Sequence, residues 1–373
     1  MVRTRRAAPV IACLLLTACS GSEGPADNSN VVNVYNWADY IHPDTIPKFE
    51  AETGIKVNYD FYDGSATVDT KLLTGNSGYD VVVHSNFASV RLAPIGVYEP
   101  IDRSKIPNLV HLDPELMERI DVFPGIGDYT VPYHWGTTGY AWNVELVRER
   151  LPDHPMDSWD VLFDPEIVSR LADCGVSLLD ASTDVFSVAF AYLGLDPTAS
   201  DINAENLAIA EEHMKKVRPY VRYFSNDKMM SDLPNKEVCI AQSWSGDFAQ
   251  AQARAEEAGI DIELRYTIPK EGSRLWVDGF YIPADAPNKD NAYTFINFMQ
   301  RPDIAAANAD FVHYANANRS AWDLMDPELL SDPAIFPDKA QWGRMYALPM
   351  IDFELRRPRM RAYARVKSGL DWD

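Results

Sequence analysis

Beyond its first 19 residues, the 373-residue chain has no apolar run long enough to cross a bilayer. It has no tandem repeat and no low-complexity tract after Asn30. Positive charge is scarce: 34 Lys plus Arg stand against 55 Asp plus Glu, a formal net charge of −21. That balance argues against a nucleic-acid partner, whose phosphates attract basic proteins. It agrees with a cationic ligand without requiring one, since acidity also serves solubility. The chain contains no HExxH, no GxSxG and no Cys/His nucleophile pattern, and its seven histidines lack ligand spacing. Hydrolytic and metal chemistry therefore have no motif to rest on, and no cofactor or metal is expected.

The N-terminus, MVRTRRAAPVIACLLLTACS, carries Arg3, Arg5 and Arg6 ahead of the short apolar stretch Ala7 to Leu16. This is the layout of a secretory signal, too short to serve as a spanning helix. Leu16-Thr17-Ala18-Cys19 resembles the bacterial lipoprotein box. Residues 1–19 are then a lipoprotein signal peptide, Cys19 becomes the lipid-modified first residue, and residues 20–30 form a flexible polar tether. An ordinary signal cut nearby, with Cys19 incidental, is the alternative. Export leaves a body of roughly 340 residues, enough for about two domains. Of the four cysteines, Cys13 and Cys19 belong to the signal. In an oxidising compartment Cys174 and Cys239 most simply pair, and their lack of CxxC spacing argues against a metal site.

From Val31 onward short β-rich runs alternate with helix-like segments. VVNVYNW, IKVNYDF and GYDVVVHSN read as strands. PDTIPKFEAETG reads as a helix with Ile46, Phe49 and Ala51 inward and Gly54 as its C-cap. Farther on, VSLLD, VCIAQSW and LWVDGFYIP read as strands, with VFSVAFAYLG, FAQAQARAEEAG and NAYTFINFMQRP as helices, the last ended by Pro302. The alternation predicts α/β architecture in two lobes, with parallel sheets covered on both faces.

Ligands of open α/β sheets bind beyond the carboxyl ends of the strands. Conspicuous side chains gather there: Trp37 and Tyr40 after the first strand, Ser85 after VVV, Asp184 after VSLLD, and Trp244 and Asp247 around SWSGD. Trp276 and Asp278 are two apart in an extended segment, so both face one side. Tyr314 falls in the loop-like FVHYANANR. Singly, each has a plain explanation. Asp247 and Asp184 suit helix caps, Trp276 suits a core, and His84 suits a loop. Together, aromatics and carboxylates at strand ends in both halves fit a flexible chain of methylenes carrying ammonium groups. Cation–π contacts contribute about 0.5–2 kcal/mol each. Carboxylates left unpaired in such a cleft are costly, so an empty cleft is expected to stay open and wet, and the ligand to drive closure.

YNWADYI, FEAETGIKVNYD, YDVVVHS, CGVSLLDASTDVF, FSNDKMMSDL, SWSGD, WVDGFYIPADAPNKDNAYTFINFM, YANAN and RVKSG, in this order, run across the body. With them the chain resembles the periplasmic substrate-binding proteins of bacterial polyamine ABC importers, closest to the putrescine-binding branch. The resemblance implies a type II periplasmic-binding-protein fold: two lobes, each a central sheet flanked by helices, joined by a crossover hinge. Residues 31–136 and 277–322 would form one lobe, and 137–276 and 323–373 the other. It places Trp37, Tyr40, Ser85, Trp244, Asp247, Asp278 and Tyr314 on ligand-contact positions, puts Asp39 near one charged end, and agrees with a Cys174–Cys239 bridge. Ala38 stands where the family usually has Ser or Thr, and Asp184 where it usually has Glu. Trp276 occupies a position often Phe in putrescine binders and Trp in spermidine binders, while Ala181 lacks an acid some spermidine binders carry. The two polyamines are not separated by these positions.

The expected role is capture of putrescine or spermidine and delivery to a membrane permease. The protein would be a periplasmic monomer that touches the membrane only through its lipid anchor, and not an enzyme. One alternative is an exported hydrolase using paired carboxylates, such as a glycosidase. Another is a binding protein for a different cationic small molecule. An amino acid would need an Arg clamp for its carboxylate, and no Arg is among the candidate pocket residues.

Overall fold

The computed structural model of the protein describes residues 30–121, 125–198, 203–348 and 353–370. The signal segment, Cys19 and the tether up to residue 29 lie outside the described residues. Eleven strands form a mixed sheet: β1 (Val31–Trp37), β2 (Lys56–Tyr62), β3 (Val81–Ser85), β4 (Val131–Asn143), β5 (Val176–Leu178), β6 (Tyr223–Phe224), β7 (Ile240–Trp244), β8 (Leu264–Thr267), β9 (Ser273–Tyr281), β10 (Ala315–Asn316) and β11 (Met345–Ala347). The main order is β2-β1-β3-β9-β4-β7-β5-β6, with β8 and β10 paired to β4 and β11 to β9.

The expected parallel pairing holds within each wing: β1 lies parallel to β2 and β3, and β5 parallel to β6 and β7. Between the wings it fails. The central strands run the other way, so β3–β9, β4–β9 and β4–β7 are antiparallel. The reason is connectivity: β4 carries the chain from the β1–β3 wing into the β5–β7 wing, and β9 carries it back. All 13 residues of β4 are buried, so it lacks the polar–apolar alternation that marks a half-exposed strand. The β4–β9 register shifts between Pro132 and Trp135, opposite the middle of β9. An irregularity of this kind bends a strand pair locally.

Each wing has its own apolar core. In the first, Val32, Val34, Phe49, Phe280, Phe295 and Ile296 are packed together. In the second, Tyr140, Trp159, Phe163, Val176 and Phe186 form the centre. The helix Thr45–Thr53 ends as expected at Gly54, whose φ of 72° is left-handed and whose N–H donates to the Glu50 carbonyl. Ala51, expected inward, is exposed; Phe49 alone of the three expected apolar anchors is buried. His84 is no loop residue: it is a fully buried member of β3. Pro302 follows the helix Lys289–Met299 and opens the next, Pro302–Val312, where a missing N–H costs nothing.

Helices Ser182–Tyr192 and Ser245–Glu257 start just beyond the carboxyl ends of β5 and β7. β3 and β7 run toward each other along β9 and β4, with Ser85 opposite Asp278 and Trp244 opposite Thr138, so these helix N-termini face the carboxyl ends of β1 and β3 from the other wing. Cys174 and Cys239 are disulfide-bonded, with Cα atoms 5.5 Å apart and 65 residues of separation. They immediately precede the paired strands β5 and β7, so the bridge fixes two strand starts side by side. Closing a loop of this length restricts the unfolded chain by about 4 kcal/mol in the entropic treatment, with measured bridges usually nearer 2–4. Replacing both cysteines by serine is expected to lower unfolding free energy by roughly that amount in urea titration. An unchanged midpoint would show that the bridge constrains little.

Candidate ligand-binding site

Tyr40, Trp276 and Tyr314 form one aromatic wall. The Tyr40 and Tyr314 rings meet edge-on at 5.6 Å, and Trp276 and Tyr314 at 5.3 Å. The wall depends on glycines where rings approach backbone: a Cβ on Gly246 would lie 2.3 Å from the Tyr314 ring, and one on Gly136 would lie 2.5 Å from Trp276. Trp37 packs on Tyr62 with ring centroids 4.4 Å apart and stacks toward His84. Trp244 packs against the cores of both wings. The rings are thus wall and core together.

Two acids face this wall. The Tyr314 hydroxyl donates to Asp247 Oδ1 at 2.6 Å. Asp247 lies in the first turn of Ser245–Glu257 but is not its cap, since Trp244 holds that position. Asp278, 7% exposed, sits on β9 opposite Ser85 of β3. The Tyr40 hydroxyl lies toward Asp278 without closing a hydrogen bond of good geometry. Neither acid makes an ion pair among the described residues. Burial pushes both carboxyls up to about 7, partly offset by Tyr314 and then Arg254 at Asp247, and by Tyr40 and then Arg274 at Asp278.

The third expected acid is in a different state. Asp184, 5% exposed, is in the first turn of Ser182–Tyr192, where a carboxylate suits the helix dipole. Its Oδ1 accepts from Thr138 Oγ1 at 2.8 Å, Trp244 Nε1 at 3.2 Å and Arg274 Nη1 at 2.7 Å. Arg274 is 4% exposed, and its guanidinium lies 4.3 Å from the Phe87 ring. The expectation that no arginine enters the cluster is therefore wrong. Arg274 shares the β9 face of Trp276 and Asp278, two and four residues back, and extending that alternation would have found it.

Ala38 and Asp39 are not brought into the cluster. Ala38 is exposed, and its N–H donates to the Tyr62 carbonyl. Asp39 adopts a left-handed backbone (φ 53°) that turns its side chain outward, 77% exposed and 4.0 Å from Arg254. Ser85 is half-buried, beside Asp278 in the ladder.

Buried acids without cations inside an aromatic box suit a positively charged solute. The model of the bacterial extracellular solute-binding proteins matches residues 44–337. The chain belongs to that family. It is 41% identical to the putrescine-binding periplasmic protein SpuD of Pseudomonas aeruginosa, over 96% of this chain and 98% of the relative. It is also 41% identical to the putrescine-binding periplasmic protein PotF of Escherichia coli, over 92% and 93%. Among solved structures, a putative spermidine/putrescine ABC transporter protein from Listeria monocytogenes superposes with a TM-score of 0.80 at 33% identity, covering 91% of this chain and 99% of that one. The fold is the two-lobed type II binding-protein fold, and the chain is a binding component of transport rather than an enzyme. The hydrolase alternative falls with that result.

For Asp247 and Asp278 the folded-state pKa lies above the unfolded value. Their contribution to stability is complete below about pH 4 and is lost as pH rises through 7. A protein with both acids changed to Asn keeps the shape without the titration. Its stability relative to the parent, measured by urea unfolding, is expected to rise between pH 4 and 8. A difference flat across that range would mean that the acids are hydrated.

Proposed function

We propose that the protein captures a polyamine, putrescine or spermidine, between its lobes and delivers it to the membrane permease of an ABC importer. The observation that carries this is the pair Asp247 and Asp278: a half-buried and a buried carboxylate with no ion-pair partner among the described residues, set in a wall of Tyr40, Trp276 and Tyr314. Ammonium groups supply the missing charge, and the rings cover the methylenes between them. The names of the two 41%-identical relatives agree with this ligand class. Ser85, Trp37 and Trp244 complete the lining, while Asp184 reaches the ligand only through its neighbours. Ala38 and the exposed Asp39 belong to the rim.

The lobes comprise residues 31–136 with 277–322 and residues 137–276 with 323–373, and they pivot where the β4–β9 register shifts. Closing is a population shift drawn by preferential binding to the shut form. Calorimetry at pH 8 is expected to show binding of at least one polyamine tighter than about 10 μM, weakened at least about a hundredfold by Asp247→Asn or Asp278→Asn. Millimolar affinity for both amines, or unchanged affinity in both variants, would sink the assignment. Because cations favour the ionised acids, affinity should also rise from pH 6 to pH 8, with proton release visible in buffers of different ionisation enthalpy.

The protein acts outside the cytoplasm as a monomer, tethered through lipid on Cys19. Mass spectrometry of the mature N-terminus is expected to find a diacylglyceryl-modified cysteine. A plain unlipidated end beyond Cys19 rules the anchor out.

A further inference from the structure

Resting on the polyamine assignment, we propose that Arg274 limits the ligand to two positive charges: it occupies the third carboxylate, Asp184, and places a fixed cation where a third ammonium would lie. It is a specificity-determining residue that selects diamines over triamines.

Three observations converge. Arg274, Trp276 and Asp278 alternate along β9, so their side chains leave the same face at steps of about 6.7 Å. The row runs from an acid without an ion pair, across an indole, to a guanidinium. A ligand laid along this row from Asp278 over Trp276 meets positive charge next. Second, Asp184 has little left to offer. Its Oδ1 already receives Thr138, Trp244 and Arg274, and its charge is matched by the buried ion pair at 2.7 Å. Breaking that pair to admit an ammonium would strand a guanidinium that is 4% exposed.

Third, this end of the cleft carries more cation than one carboxylate cancels. Arg274 Nε has no hydrogen-bond partner among the described residues, and neither has Arg359 Nε. Arg359 is close enough to Arg274 that burial and mutual repulsion lower its pKa to about 10. The next acid, Asp69, is already held by Arg91, at 2.5 and 3.0 Å, and by Arg356 at 3.4 Å. His84, 3.6 Å from Asp69, is kept neutral by burial and by Arg91. Asp247 and Asp278 make no ion pair among the described residues and feel Arg254 and Arg274 only at longer range, so they keep more unmatched negative charge than Asp184 does. A short dication matches that asymmetry, whereas a triamine has no carboxylate for its last nitrogen.

The test is calorimetric titration of the full soluble body with putrescine and with spermidine at pH 8, on the parent, Arg274→Met and Arg274→Lys. The parent is expected to prefer putrescine by at least about thirtyfold. Arg274→Met frees Asp184 and should strengthen spermidine binding by about tenfold or more, while putrescine affinity moves less than about threefold. Arg274→Lys keeps the charge and should keep the diamine preference, which loss of packing on Phe87 alone would not predict. If the methionine variant does not fold, the neutral pair Arg274→Met with Asp184→Asn serves instead, and a spermidine-to-putrescine ratio raised several-fold supports the proposal. Equal affinity of the parent for both amines, or a ratio unmoved by either methionine-bearing variant, overturns it and leaves the polyamine assignment standing. Binding of neither amine to the parent overturns both.

Discussion

Two carboxylates without an ion-pair partner among the described residues, Asp278 buried and Asp247 half-buried, set the character of this site. Asp247 enters from the helix beyond β7 and Asp278 from a central strand, and the aromatic wall shields both from water. A buried anion without a partner must either gain a proton or acquire a cation. The shut form is thereby coupled both to pH and to positively charged solutes. A binding protein needs that coupling, because closure must report that the ligand is present.

The placement of the acids follows from the topology. Two strands, β4 and β9, are shared by both wings, and the register shift opposite the middle of β9 lies next to Trp276 and Asp278. Residues on β9 therefore sit at the pivot, whereas Asp184, Trp244 and Asp247 ride on the other wing. Tyr314 reaches Asp247 across the gap. Asp278 thus lies on a strand paired with both wings, and the side chains around it come from either side.

Much of this was legible in the residues. The edge-wing strands, the helix stop at Gly54 and the pairing of Cys174 with Cys239 follow from alternation, capping and export chemistry. β4 escaped because a strand buried on both sides has no polar beat, and without it the antiparallel centre of the sheet could not be inferred. Ala51 was assigned inward from helical spacing, but a nine-residue surface helix buries a narrower stripe than that spacing allows. Asp39 is placed near a charged end by the family resemblance, whereas its left-handed backbone, which the residues around it do not announce, leaves its side chain exposed. Arg274 was hidden for a different reason. A sequence displays an acid but not its partner, and Thr138, Trp244 and Arg274 converge on Asp184 from three separate strands.

The question whether Tyr40, Trp276 and Tyr314 are core or binding wall has no single answer, and the magnitudes show why. All three belong to the apolar cluster that contains Val32 and Phe49. Burying such rings stabilises the shut form by about 1.5–3 kcal/mol each. Against this, burial raises both carboxyls to about 7, so their ionised forms oppose the arrangement once pH exceeds that value. Neither the rings nor the acids settle the conformation alone at alkaline pH. A cation that removes the electrostatic penalty while adding its own contacts to the rings tips the balance, which is why the same aromatic residues must serve as core in one state and as wall in the other.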